Sequence, residues 1–181
     1  MHSRTTELLA YLDNQRSALR AAFFSVPPAS RDRSPASGGW SAVGIIEHLA
    51  IVEERMADRL RDAIVQARAE GVGPEGENEP ILPSLEEHLR RVVDRSTRIE
   101  STESVWPKGQ SADTAWASLD KAGAAVRDAL RNGDGLALGT RFLPHRVFGQ
   151  MSLYYFFAFI GAHEARHAAQ IRELVALPAE P

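Results

Sequence analysis

The sequence predicts an all-α protein: a four-helix bundle with at least one long crossover. Three observations carry that prediction. Four segments repeat apolar residues at helical spacing, none alternates them as a half-buried strand does, and the connections between the four are of very unequal length. A chain of 181 residues, 44% hydrophobic and 25% charged, suits one globular domain over 1–181, large enough to bury a core.

The first helix is expected over 3–25, where Leu8, Leu9, Leu12, Leu19 and Phe23 recur along one face. It stops before "SVPPASRDRSPASGG", whose prolines and glycines cannot continue a helix. The second opens at "GGWSAVGIIEHLAIVEERMADRLRDAI". Ser41 is its N-cap, Trp40 is placed to staple onto Ile45, and Ile45, Leu49, Val52, Met56, Leu60 and Ile64 form its stripe. "GVGPEGENEPILP" reads as a loop, and "SLEEHLRRVVDRSTRIE" as a short polar helix. The third main helix covers about 112–131, with Trp116, Leu119, Val126 and Leu130 inward. The fourth covers about 148–177, begins after "LPHRVFG" and ends at Pro178.

Several function classes are excluded early. Net charge is −3, and arginines are mixed with acids as in "EERMADRLRD", so no basic stripe offers a nucleic-acid face. The chain has no cysteine, which removes disulfides, thiolate metal ligands and a cysteine nucleophile together. The longest apolar run, "LYYFFAFIGA", is too short to span a bilayer, and "MHSRTTELLAYLDNQ" lacks a signal-peptide core. A cytoplasmic protein with no membrane or nucleic-acid partner is the expectation. No Gly-rich phosphate loop and no Ser-His-Asp context occur.

The chemistry-bearing stretch is "GAHEARHAAQIREL". His163 and His167, four apart, point within about 40° of each other on a helix. They share their face with Phe156, Ile160 and Leu174, the core stripe of the last helix. Imidazoles on a core face must be hydrogen-bonded, open to a cleft, or bound to metal. Two satisfied interior histidines would be the plainer account of the pair alone. His48, beside Ile45 and Val52 on the second helix, adds a third imidazole from a second helix. Three nitrogens facing one bundle interior suit a divalent metal with coordination positions left open.

"HEARH" also matches the zinc-protease pattern H-E-x-x-H. The extended form of that pattern needs Gly and His where this chain has Gln170 and Glu173. Glu173 lies about 240° round the helix from His167, and the strand lining such a cleft is missing. The overlap is coincidental. Glu164, rotated about 100° from His163 and about 60° from His167, is either a solvated glutamate paired with Arg166 or Arg172, or a group at the site's edge that supports a ligand or accepts a proton. Gln170, three residues beyond His167, is placed to orient a ligand or cosubstrate. His88 lies in polar "LEEHLRR" and is expected in solvent; His145, after Pro144, is a turn or pocket-rim residue. "LYYFF" is expected to serve core packing or a dimer face.

The order of these features resembles the DinB-like superfamily, and specifically its broad second DinB group. The matching stretches are "GGWSAVGIIEHLAIVEERM", "RIESTESVWPKG" and "FGQMSLYYFFAFIGAHEARHAAQIREL", which with the helix near 112–131 cover nearly the whole chain. The resemblance implies a bundle of up-down-down-up topology. It implies a His-triad metal site, which by position falls on His48, His163 and His167, holding zinc, nickel or another divalent ion. Homodimers are common among such proteins, some relatives use bacillithiol or mycothiol, and others have been described as metal-dependent hydrolases.

Three functions follow as expectations. The first is a metal-dependent enzyme that transfers a small thiol cofactor to an electrophilic small-molecule substrate, with the sulfur supplied by the cosubstrate. The second is a hydrolase that activates water with the metal, Glu164 serving as base. The third is a non-enzymatic binding or stress protein whose ion ties two helices together.

Overall fold

The structure, a computed structural model, describes residues 1–36, 38–97 and 99–176. Among them are five α-helices: α1 (Ser3–Ser25), α2 (Ala42–Ala69), α3 (Leu82–Val93), α4 (Ala112–Asn132) and α5 (Leu153–Ala176). The end expected at Pro178 lies outside the described residues.

Local chemistry sets the helix starts. The Ser41 hydroxyl accepts from the Gly44 N–H at 3.0 Å and caps α2, and Ser111 does the same for α4 through Thr114. The α3 N-terminus borrows its cap from α1, because Glu7 accepts from the N–H groups of Ile81 and Leu82. The expected inward residues of α1, α2 and α4 are buried, apart from half-buried Val52. Tyr154, Tyr155, Phe156 and Phe157 are core residues.

The packing fixes the topology. Arg4 lies 5.6 Å from the Tyr154 ring and Arg16 is bonded to Glu164, so α1 and α5 run parallel. Glu47 binds the backbone just before α4, while a Cβ at Gly133 would meet Ile64 at 3.1 Å, so α2 and α4 are also parallel. The start of α1 shares a core cluster with the end of α2: Leu8 and Leu12 pack in the group of Leu60 and Ile64, and Leu19 and Phe23 with Val43 and Ile45. Those two helices are therefore antiparallel, and the order is up-down-down-up. Parallel α2 and α4 require the chain to return along the bundle between them, and residues 70–111 do so, carrying α3 against α5. Arg4 anchors that crossover through Glu75 (3.0 Å), Glu77 (2.6 Å) and the Glu79 carbonyl (3.0 Å).

One expectation fails. Before α5 the chain forms an antiparallel hairpin, β1 (Phe142–His145) and β2 (Gly149–Ser152), with Phe142 opposite Ser152 and His145 opposite Gly149. The helix thus starts at Leu153, not near 148. Four-residue strands are too short to show alternation, and Pro144 is tolerated because both strands of a two-stranded ribbon are edges. Gly149, at φ 71°, supplies the left-handed residue that closes a three-residue hairpin turn. The polar helix is also shorter than "SLEEHLRRVVDRSTRIE", ending at Val93.

No helix among the described residues is long and apolar enough to cross a membrane.

Candidate metal centre

The three histidines converge. His48 faces inward from the second turn of α2, and His163 and His167 stack on one face of α5. One ring nitrogen from each lies within 4.8 Å of the others. The Nε2 atoms of His163 and His167 are 3.1 Å apart, and the His48 ring centroid is 5.5 and 5.0 Å from theirs. His48 and His167 are buried and His163 half-buried. Trp40, which packs on the core cluster containing Ile45, sets its ring 4.6 Å from His48, and Phe159 stacks on His163 at 5.6 Å.

The outer nitrogens are held. His48 Nδ1 is 2.9 Å from the Val105 carbonyl, which can only accept, so Nδ1 carries the proton and Nε2 offers its lone pair. His167 Nδ1 is 2.8 Å from Gln170 Oε1, which fixes the same tautomer. Burial lowers the pKa of His48, against the Val105 bond that raises it. Burial and the other imidazoles push His163 well below the ordinary histidine value, and burial and His48 push His167 down to about 3. At neutral pH all three are uncharged.

The surroundings fix this geometry. Glu47, next to His48, accepts from the N–H groups of Lys108 (2.6 Å), Gly109 (3.0 Å) and Gln110 (3.1 Å), tying the segment before α4 to α2. Arg166, buried between the two α5 histidines in sequence, donates to the carbonyls of Val92, Asp94 and Thr97. Arg55 donates to Ser104 O at 2.6 Å. Together these hold the returning crossover over the site.

Glu164 is 1% exposed, so it is not the solvated glutamate paired with Arg166 or Arg172. Its Oε1 accepts from Arg16 Nε at 2.9 Å, and the same guanidinium reaches Glu53 Oε2 at 2.7 Å and the Leu119 carbonyl at 3.1 Å. Burial and the Glu164 charge raise the Glu53 pKa well above the ordinary value, against Arg16. The remaining oxygens, Glu53 Oε1 and Glu164 Oε2, are buried without a hydrogen-bond partner, and the raised Glu53 pKa favours a proton shared by the two carboxyls. Gly123 leaves room for this arginine: a Cβ there would lie 2.7 Å from Arg16 Nη2. Among the described residues Glu164 is hydrogen-bonded to none of the three imidazoles.

Of the other histidines, His88 is exposed, with its ring 5.1 Å from Tyr155. His145 stands at the end of β1, half-buried, 4.8 Å from the Phe159 ring.

The family model of the DinB superfamily matches residues 11–171. This chain belongs to the DinB superfamily. Among solved structures, it is similar to one titled "Crystal structure of TT2238, a four-helix bundle protein", at 21% identity and a TM-score of 0.59, over 93% of this chain and 98% of that one. At that identity the likeness bears on the fold alone. A comparison with curated proteins gives no significant match.

In this DinB-superfamily chain the donor set fits a divalent transition metal. Two nitrogens bound at ~2.0–2.1 Å to one tetrahedral ion stand roughly 3.3 Å apart. The His163–His167 pair, at 3.1 Å, already has that spacing. The donors are neutral, two of the three tautomers are set by carbonyl acceptors, and among the described residues no carboxylate completes the set. Sequence reasoning missed the partners: the Val105 carbonyl, Arg166, and the Arg16–Glu53–Glu164 cluster. The cluster left a readable signal, since Arg16 falls between Leu12 and Leu19 on the apolar stripe and Glu53 follows Leu49 by four.

Proposed function

We propose that this protein is a divalent-metal-dependent enzyme that transfers a small thiol cofactor to an electrophilic substrate. The observation supporting it is the donor set: three uncharged imidazoles from two helices, in a chain without cysteine. His48, His163 and His167 would hold the ion, and Zn²⁺ or Ni²⁺ suits three imidazoles. Bound there, the metal supplies a Lewis acid whose positive charge, undiminished by ligand carboxylates, lowers the pKa of a thiol. The chain's own residues do the rest. Val105 and Gln170 keep the lone pairs of His48 and His167 directed inward. Trp40 and Phe159 supply apolar walls beside His48 and His163 that exclude water.

Hydrolysis is less well supported. The carboxylate expected to serve as its base, Glu164, is buried and engaged by Arg16.

Elemental analysis of untagged protein should find about one ion per chain, lost in the His163→Ala, His167→Ala double variant. Conjugation of a model electrophile by a panel of low-molecular-weight thiols should then depend on the metal and vanish in His48→Ala. Metal-loaded protein inactive with every thiol, yet cleaving esters, would move the reading to a hydrolase. Gln170→Leu should weaken metal affinity by about 10- to 100-fold while all three ligands remain.

A further inference from the structure

The hairpin brings a fourth histidine to within one aromatic ring of the site, with Phe159 between His145 and His163. It runs beside α5 and its tip stands at the level of Phe159, one helical turn before His163. Both His145 and Phe148 touch Phe159, at 4.8 and 5.5 Å between ring centroids, and Phe159 is stacked on His163. Arg59 of α2 holds the hairpin through the Pro144 carbonyl (2.8 Å), and Arg146 joins its turn to the Glu100 carbonyl (2.6 Å) on the crossover. That same crossover positions His48 through Val105.

The tautomer of His145 is fixed by the turn. The N–H groups of Val147 and Phe148 both point at Nδ1, each at 3.2 Å, so Nδ1 must accept. The proton of the neutral ring therefore sits on Nε2, which has no partner among the described residues. Burial and the charges of Arg59 and Arg146 lower the pKa of this ring, which keeps it a neutral donor. This is the reverse of His48 and His167, whose Nε2 atoms offer lone pairs. The charges weighing on His145 are those of the cations Arg59 and Arg146, while His163 and His167 are influenced, after burial, first by the neighbouring imidazoles and then by Arg166.

We propose that His145 donates its Nε2–H to an anionic group of the molecule taken up at the three-histidine site, fixing that molecule between the metal and the hairpin. The inference rests on the metal-site reading above. An anion is the class that matches a donor flanked by Arg59 and Arg146, with no carboxylate bonded to it among the described residues.

The test is titration of Co²⁺-loaded protein with azide at pH 7.5, followed by the visible absorption of the cobalt. His145→Phe keeps an aromatic ring on Phe159 but removes the donor, and His145→Gln restores a side-chain N–H. Azide should bind about tenfold more weakly to the Phe variant and within about threefold of wild type to the Gln variant, with cobalt stoichiometry unchanged. If His145→Phe does not fold, His145→Met serves as the non-donor. Cobalt retained, with azide affinity indifferent to His145, overturns this inference and leaves the metal-site reading standing. Wild-type protein that takes up no cobalt overturns both.

Discussion

Replacing Arg16 by Met removes the cation that three buried groups share. Its guanidinium donates to Glu164 at 2.9 Å, Glu53 at 2.7 Å and the Leu119 carbonyl at 3.1 Å, with the arginine side chain 10% exposed and both glutamates 2%. Burial lowers the arginine's pKa, but Glu53 and Glu164 raise it further than that, so it stays charged. Taking one partner from such a buried pair costs about 3–5 kcal/mol, because the remaining charge is left dry and unpaired. Glu53→Gln should behave quite differently. Glu53 is the carboxyl pushed toward the protonated form, and an amide keeps its shape, its acceptor for Arg16 and a donor toward Glu164. Its cost should stay within about 1 kcal/mol at pH 7. Urea unfolding at 25 °C, with unchanged m values, measures both. The pH dependence has a definite sign. Because the folded pKa of Glu53 is raised, its contribution is complete below the ordinary value of 4.5 and is lost as pH rises through the raised value. Wild type should therefore lose stability over that interval relative to Glu53→Gln. Equal penalties for Arg16→Met and Glu53→Gln would refute the protonation assignment, and an Arg16→Met penalty below about 1 kcal/mol would refute the cluster's ionic character.

Three further outcomes test the bundle itself. Gly161 lets α1 approach α5, and a Cβ there would lie 2.5 Å from Tyr11 Cε1. Gly161→Ala should cost about 1–3 kcal/mol in thermal unfolding, with the penalty reduced in a Tyr11→Ala background. Tyr154→Phe removes a 2.8 Å bond to Glu75 and should cost about 1–2 kcal/mol. Burial raises the Glu75 pKa, but the Glu77 N–H, Tyr154 and Arg4 lower it further. Its contribution is therefore present above 4.5 and lost as pH falls through the folded value, an acid-side slope that Glu75→Gln should lack.

The main helices were legible because apolar spacing reports directly on which face is buried, and Leu8, Leu49 and Leu119 are all at 0% exposure. The three histidines were legible for the same reason, as polar residues placed on apolar faces. What escaped the sequence lies in long-range pairing. Val105 reaches His48 across 57 residues, and Arg16 reaches Glu164 across 148. No local period encodes either. The hairpin escaped because four residues cannot establish an alternation, yet it decides where His145 stands. Glu164 shows the remaining difficulty: rotation about a helix gives direction, but whether that direction meets solvent or another helix depends on α1, whose placement the α5 sequence does not contain.

The crossover is what turns three histidines into a defined donor set. In a bundle of short up-and-down connections, nothing would pass over the end where α2 begins and α5 closes, and His48 Nδ1 would face water. Its proton could then occupy either nitrogen, and the ring would be free to rotate. Parallel α2 and α4 instead force the chain back along the bundle, and the returning segment is pinned by Arg166, Arg55 and Glu47 within a few residues of the three histidines. Those contacts place the Val105 carbonyl at His48 with no help from an ion, so that on the proposed reading little ordering would remain for a metal to impose. The topology and the site are thus one structural decision, since the helix order that demands a crossover also delivers the carbonyl that fixes the tautomer of His48.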